Sequence, residues 1–124
     1  SMRFSVTARL KSFSHAIAGL VVMLRTQHNA WVHLVAAALV VVLGLVLRVS
    51  AGDWRWLVAA IALVWAAEAT NTAFEHLCDV VSPGFHESVR RSKDIAAAAV
   101  LVCAIAALLL GVLTFWPYIV VAMS

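Results

Sequence analysis

One stretch of the sequence places acidic and amide side chains inside an otherwise apolar run. At 100° per residue, five polar side chains fall on one helical face about 100° wide. This polar stripe consists of Glu68, Asn71, Thr72, Glu75 and Asp79. In a membrane each carboxylate is unfavourable, by roughly 2.5–3.5 kcal/mol at the bilayer centre. The polar stripe is therefore predicted to face a protein interior, a cation or water.

The side chains in and after the polar stripe are those that phosphoryl transfer needs. Carboxylate and amide oxygens are hard ligands that suit Mg²⁺, which usually takes one or two carboxylates plus substrate phosphates. A carboxylate that binds no metal can accept a proton from a hydroxyl. The cations that could neutralise a polyphosphate are Arg90, Arg91 and Lys93. The sequence has no P-loop and no kinase-type glycine-rich loop, so an unusual scaffold would hold a nucleotide.

Simpler roles remain open for several of these residues. Glu68 could be a structural carboxylate that pairs with Asn71 or with a neighbouring helix. Arg90 and Arg91 could serve only as anchors on the positive side of a membrane. The two histidines at positions 15 and 33 are expected to lie at the membrane interface or to pack against other helices.

Composition sets the class of protein. The chain has 124 residues, of which 65% are hydrophobic and 12% are charged. A soluble domain has about 45–50% apolar and about 25% charged residues. A soluble helical bundle of this length could not cover so much apolar surface with so few charges. We therefore predict an all-α integral membrane protein with a single domain over residues 1–124.

Hydropathy and turn residues predict four helices. Residues 3–25 form an amphipathic helix in the membrane interface, and residues 30–48, 53–81 and 94–116 form three transmembrane helices. Polar connections are predicted over 25–33 and 82–94, and Pro117 lies near the predicted end of the last helix.

The distribution of lysine and arginine predicts the orientation. Seven of these residues lie on one side of the predicted spans, and two, Arg48 and Arg55, lie on the other. The positive-inside rule then places the N-terminus, the 82–94 connection and the polar end of the second span in the cytoplasm. Three helices rarely enclose a site alone, so we also expect an oligomer.

Several motifs together resemble a known family. Glu68-x-x-Asn71-Thr72-Ala73-Phe74-Glu75-x-x-x-Asp79 is followed by His86 and by Lys93-Asp94. Upstream lie Ser12-Phe-x-x-Ala16-x-x-Gly19 and Asn29-x-x-x-His33. Across nearly the whole chain the sequence resembles the prokaryotic diacylglycerol kinase family, and within it the undecaprenol kinase branch, notably at Asn71-Thr72 and Ser82-Pro83.

The resemblance implies a homotrimer in the bacterial inner membrane, with a cytoplasmic active site. It implies ATP with Mg²⁺ as phosphate donor, undecaprenol or diacylglycerol as the lipid alcohol, and no nucleic-acid partner. By the same resemblance Glu68 is the catalytic base, Asn71 supports it, and Glu75 with Gln27 binds the metal. The residues implied to bind nucleotide are Ser12, His15, Glu75, Gly84, Phe85, His86, Lys93 and Asp94. Those implied to bind lipid are Glu68, Trp31 and Ala97.

Two positions depart from the family pattern. Gln27 stands where the family usually has a second metal-binding glutamate, so a charge is lost although an oxygen ligand remains. His15 stands where members often carry an aromatic side chain near the nucleotide. The first departure leaves open a catalytically weakened member that binds lipid or a partner protein. A small channel or proton relay is a third interpretation, in which Lys93-Asp94 would have no role.

Overall fold

The computed structural model of the chain describes residues 3–124. In this range the chain forms four helices, α1 (Val6–Thr26), α2 (His28–Val46), α3 (Ala51–Val81) and α4 (Glu87–Met123). By length and composition α2, α3 and α4 could each cross a membrane. The predicted all-helical architecture is therefore confirmed for the described part of the chain, with three helices that are candidate membrane spans. The interfacial position of α1 and the trimer remain predictions.

The corner between α1 and α2 is much shorter than the predicted polar connection over 25–33. Gln27 alone is non-helical there, with φ −124° and ψ 119°, and its N–H still donates to the Met23 carbonyl at 3.0 Å. The Trp31 indole N–H donates to the Leu24 carbonyl at 2.6 Å. This bond ties the first turn of α2 to the last turn of α1. The backbone of Gln27 is therefore held at a fixed corner, and the residue is half-buried there.

The predicted polar connection over 82–94 is correct only for its first five residues. Ser82–His86 links α3 to α4, and Glu87 already begins α4. Arg90 donates to Glu87 one turn before it and to Asp94 one turn after it, at 2.6 and 3.0 Å. Ion pairs at these spacings stabilise a helix, so the charged segment is the start of α4. Lys93 and Asp94 are consequently on a helix, not in a loop.

The far end of the helical bundle, away from the polar stripe, holds the apolar core. Val49, Leu57 and Phe115 are buried together there. Tyr118 accepts a hydrogen bond from the Ser50 N–H at 2.9 Å and donates one to Asp53. These bonds fix the chain just beyond Pro117. The helix continues through Pro117 to Met123, where the sequence had predicted an end. An interior proline removes one backbone donor and crowds the preceding turn, and the two bonds of Tyr118 stabilise the segment beyond it.

A close contact between α2 and α3 predicts the effect of one substitution. A Cβ atom on Gly44 would lie 2.6 Å from Cη2 and 2.8 Å from Cζ2 of Trp54. The indole packs against the apolar core, so it cannot move away freely. We expect Gly44→Ala to destabilise the protein by about 1–3 kcal/mol, as overpacking does. Thermal unfolding in detergent micelles measures this change.

The matched control for that substitution is Gly111→Ala on α4. No atom lies within 4 Å of the position that a Cβ at residue 111 would take. Its unfolding temperature should match or exceed that of the wild type, because alanine favours a helix over glycine. Equal losses of stability in the two variants would contradict the proposed overpacking at Gly44.

Candidate active site

The polar stripe is buried at its Glu68 end and exposed at its Asp79 end. Glu68 is 2% exposed and Thr72 5%. Asn71 and Glu75 are half-buried, and Asp79 is exposed. α3 thus carries a carboxylate in the protein interior at one end of the stripe and a solvent-facing carboxylate at the other. A lipid-soluble group can approach the first, and an aqueous one the last.

The buried carboxylate of Glu68 lies against a histidine of α2. His33 Nε2 is 3.4 Å from Glu68 Oε2, and the two side chains are 16% and 2% exposed. The expectation that His33 packs against another helix is therefore correct, and its partner is the candidate base. The sequence assigned His33 no role in the site. The signals were a polar side chain near the start of an otherwise apolar span and its place in the Asn29-x-x-x-His33 motif.

Three oxygen atoms of the polar stripe are buried without a hydrogen-bond partner in the described structure. They are Glu68 Oε2, Asn71 Oδ1 and Thr72 Oγ1. The neighbouring Thr70 behaves as helical threonines usually do and donates to the Ala66 carbonyl at 2.8 Å. Unpaired buried oxygens are unfavourable, so this cluster is suited to a ligand that brings a donor. A hydroxyl group is such a donor.

The exposed end of the polar stripe contacts the start of α4. Lys93 Nζ donates to Asp79 Oδ1 at 2.6 Å. Glu87 accepts from both Arg90 and Arg91, and Arg90 also binds Asp94. Lys93 is thus beside the stripe, as its predicted contact with a nucleotide requires, while Asp94 belongs to the arginine pairs on α4. A polyphosphate could replace Asp79 as the partner of the Lys93 ammonium group.

The other residues predicted to bind nucleotide or lipid lie on separate elements. Gly84, Phe85 and His86 are exposed in the short connection that precedes α4. Ser12 and His15 are exposed on α1, where the Ser12 hydroxyl donates to the Ala8 carbonyl. The two predicted lipid contacts outside α3 are the exposed side chains of Trp31 on α2 and Ala97 on α4. The hydrogen bonds and ion pairs described above join none of these residues to the polar stripe.

The donor set for a metal is small. Among residues 3–124 no three histidine, cysteine or acidic side chains are grouped closely enough to hold an ion. Glu75 offers a half-buried carboxylate, and Gln27 offers an amide oxygen at the α1–α2 corner. One carboxylate and one amide suit Mg²⁺ that arrives with phosphate oxygens, because Mg²⁺ is usually held in this way. They do not suit a metal bound by protein ligands alone.

An apolar groove of about 640 Å³ runs between α2, α3 and α4. His33 is at its polar end, and Trp116 and Ile119 are at its far end. Small residues on the facing helices leave the space open, among them Ala36, Ala60 and Gly111. His33 lines the groove, whereas Glu68 does not. A hydrocarbon chain in this groove would place its polar end beside His33.

Most of the sequence is similar to proteins of a known family. The family model described as "Prokaryotic diacylglycerol kinase" matches residues 14–115. The chain belongs to the prokaryotic diacylglycerol kinase family. It is 35% identical to the undecaprenol kinase of Bacillus subtilis over 107 residues, which cover 86% of this chain and 87% of the relative. The recognition of the family from the sequence motifs is confirmed.

Two further relatives are diacylglycerol kinases. The protein of Synechocystis is 36% identical over 82% of this chain, although the match spans only 59% of that longer relative. The protein of Escherichia coli is 33% identical over 68% of this chain and 69% of its own length. Membership in this family and the three long apolar helices support a multi-pass membrane lipid kinase that uses ATP as co-substrate.

Proposed function

We propose that this chain transfers the γ-phosphate of ATP to the hydroxyl of a membrane lipid alcohol, with undecaprenol as the main candidate and diacylglycerol as the second. The observation that carries the proposal is a buried carboxylate with an unpaired oxygen, next to the polar end of an apolar groove. The preference for undecaprenol rests on the similarity to the B. subtilis undecaprenol kinase over most of both chains.

In the proposed reaction Glu68 takes the proton of the lipid hydroxyl. The freed oxygen attacks the γ-phosphorus, and the bond from that phosphorus to the bridging oxygen breaks, so that ADP leaves with the electron pair. Asn71, one turn along α3, supports the carboxylate. Its amide can donate one hydrogen bond to Glu68 while its oxygen accepts another.

The donor would be held at the exposed end of the polar stripe. Lys93 releases Asp79 and neutralises phosphate charge, as a lysine ammonium does in other phosphate sites. Mg²⁺, when bound with ATP, would neutralise charge on the phosphate oxygens. Glu75 and Gln27 would hold it. The further proposed nucleotide contacts are Ser12, His15, Gly84, Phe85, His86 and Asp94, and the further lipid contacts are Trp31 and Ala97.

We further propose a trimer in the inner membrane with its active site at the cytoplasmic face. One subunit leaves most of the apolar side chains of its three spans exposed, and its α1 contacts the other helices little. Additional copies would cover part of that surface. The excess of lysine and arginine at the polar-stripe end supports the cytoplasmic orientation.

Transfer of labelled phosphate from ATP in mixed micelles tests the proposed function. Undecaprenol and diacylglycerol are offered separately with Mg²⁺, and a micelle without acceptor controls for ATP hydrolysis. We expect labelled lipid with undecaprenol and a smaller amount with diacylglycerol. Absence of transfer to either lipid, from protein shown to be folded and oligomeric, would overturn the proposal. It would favour a family member that binds lipid without phosphorylating it.

A further inference from the structure

We propose that His33 is a positioning residue for Glu68, one that holds the carboxylate where it meets the acceptor hydroxyl. The inference rests on the proposed function, in which Glu68 is the base. It adds a residue of α2 to a base that the proposed mechanism otherwise supports only with Asn71 of α3. The contact between His33 Nε2 and Glu68 Oε2 at 3.4 Å carries the inference.

A buried carboxylate in a membrane helix requires a partner, because burial without one strongly disfavours the ionised form. Over residues 3–124 the His33 imidazole is the one basic group within 4.0 Å of the Glu68 carboxylate. Asp79, Glu87 and Asp94, which are exposed, pair with lysine or arginine at 2.6–3.1 Å. In the described part of the chain, the buried carboxylate of Glu68 has only the His33 imidazole as a basic neighbour.

The contact with His33 orients the Glu68 carboxylate but leaves its oxygen lone pairs free to accept a proton. A distance of 3.4 Å exceeds the usual 2.7–3.2 Å of an N–H···O hydrogen bond, and Oε2 has no hydrogen-bond partner. The imidazole packed beside the carboxylate thus limits its rotation, while lone pairs remain for a hydroxyl proton. Lysine in its place would form a shorter bond and make the carboxylate a weaker base.

The position of His33 connects the groove with the base. His33 lines the polar end of the apolar groove, and Glu68 is not part of that lining. An alcohol whose chain fills the groove therefore reaches the edge of His33 and, next to it, the carboxylate. In the transfer step the O–H bond breaks and its proton goes to Glu68. His33 gains and loses no proton in this scheme, so its contribution is geometric and electrostatic.

Kinetics of three variants test the role of His33. We expect His33→Ala to lower kcat by about 10- to 100-fold, because small displacements of a reacting group have effects of this size. The KM for ATP should stay within about twofold, since the nucleotide is bound at the other end of the stripe. His33→Gln should recover most of the loss, because its amide nitrogen can replace Nε2. His76→Ala, on an exposed face of α3, is the matched control with unchanged kinetics.

Nitrogen NMR of the histidine rings tests the contact without any turnover. In protein labelled with ¹⁵N-histidine, Glu68→Gln should shift the ring resonances of His33, assigned by their loss in His33→Gln. The other four histidines should be unaffected. Unmoved His33 resonances in Glu68→Gln would overturn the proposed contact, and so would a loss in His33→Ala that appears mainly in the KM for ATP. A shift of His33 together with no phosphate transfer by the wild type would overturn the proposed function and the catalytic role, but not the contact.

Discussion

Glu68→Gln should lower lipid phosphorylation by about 10²- to 10⁴-fold, the range that removal of a general base produces. Glutamine keeps the shape of the side chain and an oxygen acceptor, but it cannot take the hydroxyl proton. Because glutamine has nearly the same volume and can still contact His33, folding and assembly should be preserved. Initial rates of phosphate transfer and size-exclusion profiles in the same detergent measure the two effects.

The matched control is Thr70→Val on the same helix. Its hydroxyl donates to the backbone two residues from Glu68, but its side chain is exposed away from the buried part of the stripe. Its rate should stay close to that of the wild type. Full activity of the Glu68→Gln variant would rule out the proposed base. Equal losses of transfer rate in both variants would mean that substitutions in this part of α3 disturb the helix, and would not support a specific role of Glu68 as the base.

Substitutions that remove or add a carboxylate at positions 75 and 27 should strongly change the Mg²⁺ concentration that transfer requires. Glu75→Gln leaves the proposed metal site without a carboxylate, so we expect at least about a tenfold rise in the Mg²⁺ concentration for half-maximal transfer. Gln27→Glu adds a second carboxylate at the α1–α2 corner. It should lower that concentration by about tenfold. The Mg²⁺ dependence of transfer at fixed ATP measures both changes.

The double variant Glu75→Gln/Gln27→Glu separates charge from position. If the two side chains share one ion, the carboxylate at position 27 should restore part of the activity that Glu75→Gln loses. A Gln27→Glu variant with an unchanged Mg²⁺ requirement would show that position 27 does not face the metal. In that case the glutamine would be a structural residue of the corner, where its backbone already bonds to Met23.

Hydropathy was sufficient to predict the three helices that could span a membrane. The predicted start of α4 was wrong because its charged first turns were taken for a connection. The segment Glu87–Asp94 is polar, so it reads as a connection in the sequence. Its i,i+3 and i,i+4 charge pairs make it the first two turns of α4. Those spacings were visible in the sequence. The continuation of α4 past Pro117 was not, because it depends on the contacts of Tyr118 with Ser50, the residue before α3, and with Asp53 in the first turn of α3.

The polar stripe could be predicted because its members share one helix and one periodicity. The burial order along it also follows from the fold of one helix against its neighbours. The pairing of Glu68 with His33 could not be predicted, since it joins residues of two helices. Their contact depends on the rotation of α2 about its own axis, and uniformly apolar sides of α2 give no signal for that angle. A lone histidine in such a helix is therefore worth testing against every buried carboxylate.

The burial of Glu68 also gives the proposed reaction a direction. The product carries about −1.5 to −2 charges where the substrate had a neutral hydroxyl. Like charges repel most strongly where the local dielectric is low, as it is around a side chain that is 2% exposed. In the proposed reaction Glu68 is neutral when the product forms, because it holds the hydroxyl proton, and it becomes negative again only after releasing that proton. We therefore expect the regenerated carboxylate to disfavour a phosphorylated head group beside it, so that a lipid that has received one phosphate is a poor substrate for a second transfer.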